Sequence, residues 1–134
     1  MALAKIYYGT VFPHGSATLL ARVVGHYSEV LKRSEIQSGT YSVTLMDENN
    51  PEISVNVTGH TNVSLDLDTV FFNTLRRDSL WSEDRQGYNF RHVLTPGQND
   101  IFTRIQRMYQ IEYRFQHVEA DREKIIVQFR LFVV

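Results

Sequence analysis

Tyr109-Gln110-Ile111-Glu112-Tyr113-Arg114-Phe115, followed after a short break by Ile125-Ile126-Val127-Gln128-Phe129-Arg130-Leu131-Phe132-Val133, decides the fold. Successive side chains of a strand point to opposite faces. Tyr109, Ile111, Tyr113 and Phe115 therefore share one face, with Gln110, Glu112 and Arg114 on the other. Ile125, Val127, Phe129, Leu131 and Val133 repeat the pattern, with Gln128 and Arg130 opposite. A period of two marks a half-buried strand. The intervening His117-Val118-Glu119-Ala120-Asp121-Arg122-Glu123 is short and polar, as a hairpin connection is. Two antiparallel strands with an apolar inner face are expected here.

Upstream the same alternation recurs in shorter pieces. After Gly87, Tyr88, Phe90, His92 and Leu94 share a face and Asn89, Arg91 and Val93 the other. Tyr41, Val43 and Leu45 point one way; Asp47 to Pro51 reads as a turn; Ile53, Val55 and Val57 then alternate with small polar residues. Val63, Leu65 and Leu67 alternate with Ser64, Asp66 and Asp68, and Thr18 to Val24 is apolar enough for a strand covered on both faces. About seven to eight short strands separated by turn signals predict an all-β fold. The expected form is a single antiparallel β-sandwich, immunoglobulin-like or jelly-roll-like, with a small closed barrel as the alternative.

Two stretches break the period. Phe71, Phe72 and Leu75 stand at helical spacings, which predicts a short helix or irregular connection over 69–80. Ile101, Ile105 and Met108 leave 97–108 open between a helix capped by Asn99 or Asp100 and a loop. Ser34-Glu35-Ile36 fits one helical turn in a long crossing connection, with Ile36 in the core. Trp81, the one tryptophan, is expected to cover the core, so that Trp81→Ala costs about 3–5 kcal/mol. Residues 1–16 form an apolar N-terminal arm or edge strand, and 17–134 the sandwich domain.

The chain has 134 residues, enough for one domain that buries about 65–70% of its unfolded surface. Its formal net charge of -1, spread along the chain, lacks the basic stripe of a nucleic-acid binder. It has no cysteine, so disulfide and thiol chemistry are excluded. No window approaches the roughly 20 apolar residues that span a bilayer. A soluble protein made in the cytoplasm, without membrane insertion, is expected.

Candidate chemistry is sparse. His14, His26, His60, His92 and His117 are scattered, and none pairs with another at metal-ligand spacing. Asp66 and Asp68, on one face of an expected strand, with Asp84 approaching from a loop, form at most a fragment of a calcium site, and a solvated polar face is the favoured account of them. There is no Gly-x-Ser-x-Gly elbow, and the glycines stand singly at element boundaries. The reading is a non-enzyme with no catalytic residue, cofactor or metal. Arg91, Glu112, Arg114, Gln128 and Arg130 are expected to form a polar ladder, each opposed pair contributing about 0.2–1 kcal/mol.

The termini are more telling. Ile126, Phe132 and Val134 make the last strand apolar on both faces, which marks it as either central in its sheet or covered by something else, since an exposed edge of that kind invites pairing with another chain. Ile6, Tyr7, Tyr8 and Phe12 make the N-terminal arm similarly apolar. These seven residues are the expected interface of a homo-oligomer that also contacts other structural proteins.

Leu80-Trp81-Ser82-Glu83-Asp84, Gly87-Tyr88-Asn89-Phe90-Arg91-His92, Tyr109 to Phe115 and Ile125 to Val133 together resemble small β-sandwich modules among the virion and tail proteins of bacteriophages and prophages. The resemblance covers the last third of the chain and rests on framework aromatics. It implies a structural, connector-type role in a particle and virion association. The alternative expectation is a carbohydrate- or protein-binding module that presents Tyr7, Tyr8, Tyr27 or Phe102 as an aromatic platform.

Overall fold

A computed structural model describes residues 3–25, 29–47, 49–50, 53–95, 100–119, 122 and 124–134. In chain order the elements are β1 (Leu3–Val11), β2 (Ala17–Ala21), β3 (Ile36–Met46), β4 (Ser54–Asn56), β5 (Val63–Ser64), α1 (Leu67–Val70), β6 (Phe71–Arg76), β7 (Tyr88–Leu94), β8 (Met108–His117) and β9 (Ile125–Val133). A six-stranded sheet runs β1-β9-β8-β3-β4, with β5 also against β3, and faces a three-stranded sheet, β2-β7-β6. The fold is an all-β sandwich.

The two decisive runs are neighbours at its centre. β8 and β9 pair antiparallel from Met108–Phe132 to Phe115–Ile125 without a break, and β3 pairs the other side of β8. Ile125, Val127, Phe129, Leu131 and Val133 are all buried, as are Tyr109, Ile111, Tyr113 and Phe115. Opposite them, Phe90 of β7 meets Tyr113 and Phe115 edge-on, at 4.8 and 5.5 Å between ring centroids, and Phe71 of β6 meets Phe115 at 5.0 Å. These contacts knit the two sheets into one aromatic core.

One pairing departs from the antiparallel rule. β1 lies parallel to β9 over nine residues, Leu3–Ile125 to Val11–Val133, without a register shift. The last strand is therefore interior, between β1 and β8, and β1 forms the sheet edge.

Several local expectations are corrected. Phe71–Arg76 is a strand: the helix ends after one turn at Val70, and Phe71 enters the sheet opposite Phe90. Asp66 and Asp68 are not on a strand face, because β5 ends at Ser64 and Asp66 caps α1, accepting from the Asp68 backbone N–H at 3.3 Å. Residues 100–107 form no helix; Ile101 and Phe102 are buried there and Ile105 is exposed. Arg91 is outside the polar ladder, since β7 belongs to the smaller sheet. Trp81 is only half-buried, in the loop between β6 and β7, and takes no part in the core cluster. The 96–99 turn, with the Asn99 cap, lies outside the described residues.

A buried amide ties the smaller sheet to its connection. Asn89 accepts from the Val23 N–H at 2.6 Å and donates to the carbonyls of Val23 and Leu31 at 2.9 and 2.8 Å. A fully buried polar side chain is tolerable only when satisfied in this way. It prolongs the β2 side of the sheet beyond Ala21, where the ladder ends.

Candidate functional site

The two sheets leave their first strands, β1 and β2, both at an edge on the same flank of the sandwich. Between them runs an open groove of about 290 Å³, walled by Tyr7–Thr10 and by Ser16–Leu20, with Phe129 and Leu131 in its floor. Tyr7 faces inward because it shares the register of Phe129 on β9, and the two rings stack at 5.2 Å. Its hydroxyl accepts from the Arg22 backbone N–H at 3.3 Å across the groove, and burial pushes its pKa up. Gly9 lets the floor come up close to β1: a Cβ there would lie 3.2 Å from Leu131 Cδ2, a tight contact.

Leu80, Trp81, Ser82 and Glu83 close one side of this groove. Their loop is organised by Asp84. Its carboxylate accepts from Trp81 Nε1 at 2.9 Å, from Arg22 Nη1 at 2.6 Å and from the Gln86 and Gly87 N–H groups at 2.9 and 3.2 Å. These donors, Trp81 first, hold the Asp84 carboxyl well below the usual carboxylate range. The Trp81 ring leans on Tyr88 at 5.7 Å, and the Tyr88 hydroxyl donates to Asp78 at 2.6 Å. Gly87, at φ +105, permits the turn into β7; a side chain there would strike the Arg76 carbonyl.

The expected interface residues fall around the same flank. Ile6 and Tyr8 are exposed on the outer face of β1, Tyr8 at 69%. Thr10 is the register partner of Phe132, so Tyr8 lies diagonal to Phe132 on that face. Phe12, 75% exposed, follows the end of β1, where the Val134 N–H donates to the Val11 carbonyl at 3.0 Å. Tyr8, Phe12, Phe132 and Val134 are thus gathered at one corner. Ile126, half-buried, stands at the far end of the face, and Tyr7 belongs to the groove. Between corner and far end the face is polar: Gln128 donates to Glu112 at 2.8 Å, Arg114 to Glu112 at 2.7 Å, and Arg130 to Gln110 at 3.1 Å.

No family model matches this chain, and no curated protein is similar to it. What the site can do rests on its own chemistry. An edge strand presents unpaired N–H and C=O groups, so β1 offers a template for another strand, flanked by an apolar corner on one face and the groove on the other.

Other expected features lie elsewhere. Phe102, expected as an exposed platform ring, is 1% exposed and packs on Tyr109 at 5.5 Å. Tyr27 lies outside the described residues. Asp68 accepts from Arg33 Nε at 2.8 Å. Among the described residues no group of three or more His, Asp or Glu is placed to hold a metal ion, and no helix is long and apolar enough to cross a membrane.

Nothing local in the sequence marks Trp81, Glu83 and Gly9 as neighbours, since only the tertiary fold brings loop 80–83 against β1. A local signal did exist for Asp84, a carboxylate ahead of Gly87 that fits a turn-organising residue.

Proposed function

We propose that this chain is a non-enzymatic structural protein that assembles with copies of itself, and with other structural proteins, along its β1 flank. The observation that carries the reading is the edge itself. β1 is nine residues long and pairs in unbroken register on its inner side, and it holds neither proline nor bulge. Natural edges are usually blunted by such devices or by several charges, whereas β1 carries one, Lys5. The exposed Tyr8, Phe12, Phe132 and Val134 beside it add apolar area that association would cover. The resemblance of the last third to phage virion and tail modules leans the same way, towards a particle component. Light scattering on a sizing column across a concentration series tests the reading. A mass above that of one chain, lost in Ile6→Lys/Tyr8→Lys, is expected; a monomer at every concentration rules it out.

A second reading is favoured by one observation: the Tyr7 and Trp81 rings line the same groove, as aromatic platforms for sugars do. A module that binds carbohydrate there retains glycans on an array and loses them in Trp81→Ala. An array without binding removes it.

A further inference from the structure

We infer that the partner of the β1 edge is β1 of a second copy, antiparallel across a twofold axis at Tyr7, so that two six-stranded sheets merge into one. The inference rests on the self-assembly reading and adds to it the register, the symmetry and a charge contact.

Antiparallel partners share a face, so residue i of one copy must oppose a residue of equal parity in the other. With the axis at Tyr7, Ile6 of each copy opposes Tyr8 of the other on the outer face, and Lys5 opposes Gly9 on the groove side. Both sets fit. Ile6 and Tyr8 are exposed apolar side chains, and an aliphatic–aromatic cross-strand pair is stabilising. Lys5 is exposed and shares the inner register of Tyr7, beside whose ring its Nζ lies at 5.5 Å. Opposite it, Gly9 has no side chain and borders the groove together with Glu83. The lysine stem of the second copy therefore meets no side chain at Gly9 and passes over it along the groove, where its ammonium meets the Glu83 carboxylate. No like charges face each other in this register. Shifting the axis to Ile6 or Tyr8 sets Lys5 against the side chain of Tyr7 or Val11 in place of the bare Gly9. A twofold contact of this kind also closes on itself, which an edge-to-edge filament does not.

The absence of native cysteine makes the register directly measurable. Chains carrying either Ile6→Cys or Tyr8→Cys, distinguished by tag mass, are mixed and oxidised. Directly opposed positions have Cβ atoms about 4.5–5.5 Å apart and diagonal ones about 7–8 Å, so the mixed disulfide is expected to predominate over either homodimer. A product in which one variant is linked mainly to itself, through position 6 in both copies or position 8 in both, overturns the register. An oligomer by light scattering with no cross-link overturns the inference and leaves self-assembly through another surface. A monomer overturns both. The charge contact has its own readout: Glu83→Lys raises the dimer Kd roughly tenfold, and Lys5→Glu in the same chain restores it. A Kd unmoved by Glu83→Lys removes that contact.

Discussion

The two ends of the larger sheet are built on opposite principles. At one end, β3 is flanked by β4 and β5, three and two residues long, which pair with it at separate places and are interrupted by the Gly59 turn. At the other, β1 presents nine residues in a single run. A broken edge offers a neighbour too few consecutive hydrogen-bonding groups to add a strand, whereas a long straight edge offers a full ladder. The packing behind each end differs too. β1 itself reaches the core, with Tyr7 half-buried and Val11 buried, while all three residues of β4 are exposed, Val55 at 65%. One end is finished; the other is supported from within and left open.

That contrast can be broken most severely from inside. Phe129→Ala empties the site where β9 holds Tyr7 and Tyr113 and is expected to cost about 3–5 kcal/mol in a denaturant titration. Val55→Ala at the other end should stay within about 0.5 kcal/mol. Equal costs at the two positions would erase the difference in support.

Between about pH 7 and 4 acid should act first on the middle of the sandwich. His92 of β7 is 2.7 Å from the Tyr113 hydroxyl, and burial pulls its pKa from 6.5 down to about 4. The unfolded chain takes up this proton near 6.5 and the folded chain only near 4. Stability is therefore full above the unfolded value and falls as the pH drops towards the folded one, by about 1–3 kcal/mol once the part of the ring that water reaches is discounted. Chemical denaturation between about pH 7 and 4 measures the slope, and His92→Gln should flatten it. An unchanged slope in that variant assigns the effect elsewhere.

Trp81→Ala sharpens the comparison on the groove side. The ring is half-buried and held by Asp84 and Tyr88, so the expected cost is about 1–2 kcal/mol, well below that of emptying a core site. A loss as large as that of Phe129→Ala would return this tryptophan to the core.

The strands were legible where the period of two is sustained: the buried faces of Tyr109–Phe115 and Ile125–Val133 follow directly from their alternation. Their partners were not. Local periodicity says nothing of whether β1 runs parallel or antiparallel to β9, because that is fixed by a contact between the two ends of the chain. Phe71–Arg76 failed for a different reason: adjacent Val70, Phe71 and Phe72 mask the period, and the irregular pairing of β6 with β7 does not need it. Of the candidate site, the apolar termini were visible in the composition of the two ends. The groove was not, since Gly9, Trp81 and Glu83 meet only after both sheets have formed.

The most direct test of the open edge is the solution mass of the wild-type chain beside Ile6→Lys and Val55→Lys, each on an exposed position and each expected to change stability by less than about 0.5 kcal/mol. The account predicts a concentration-dependent dimer in wild type and Val55→Lys and a monomer in Ile6→Lys. A wild type that is monomeric throughout, or a dimer abolished by Val55→Lys and untouched by Ile6→Lys, contradicts it.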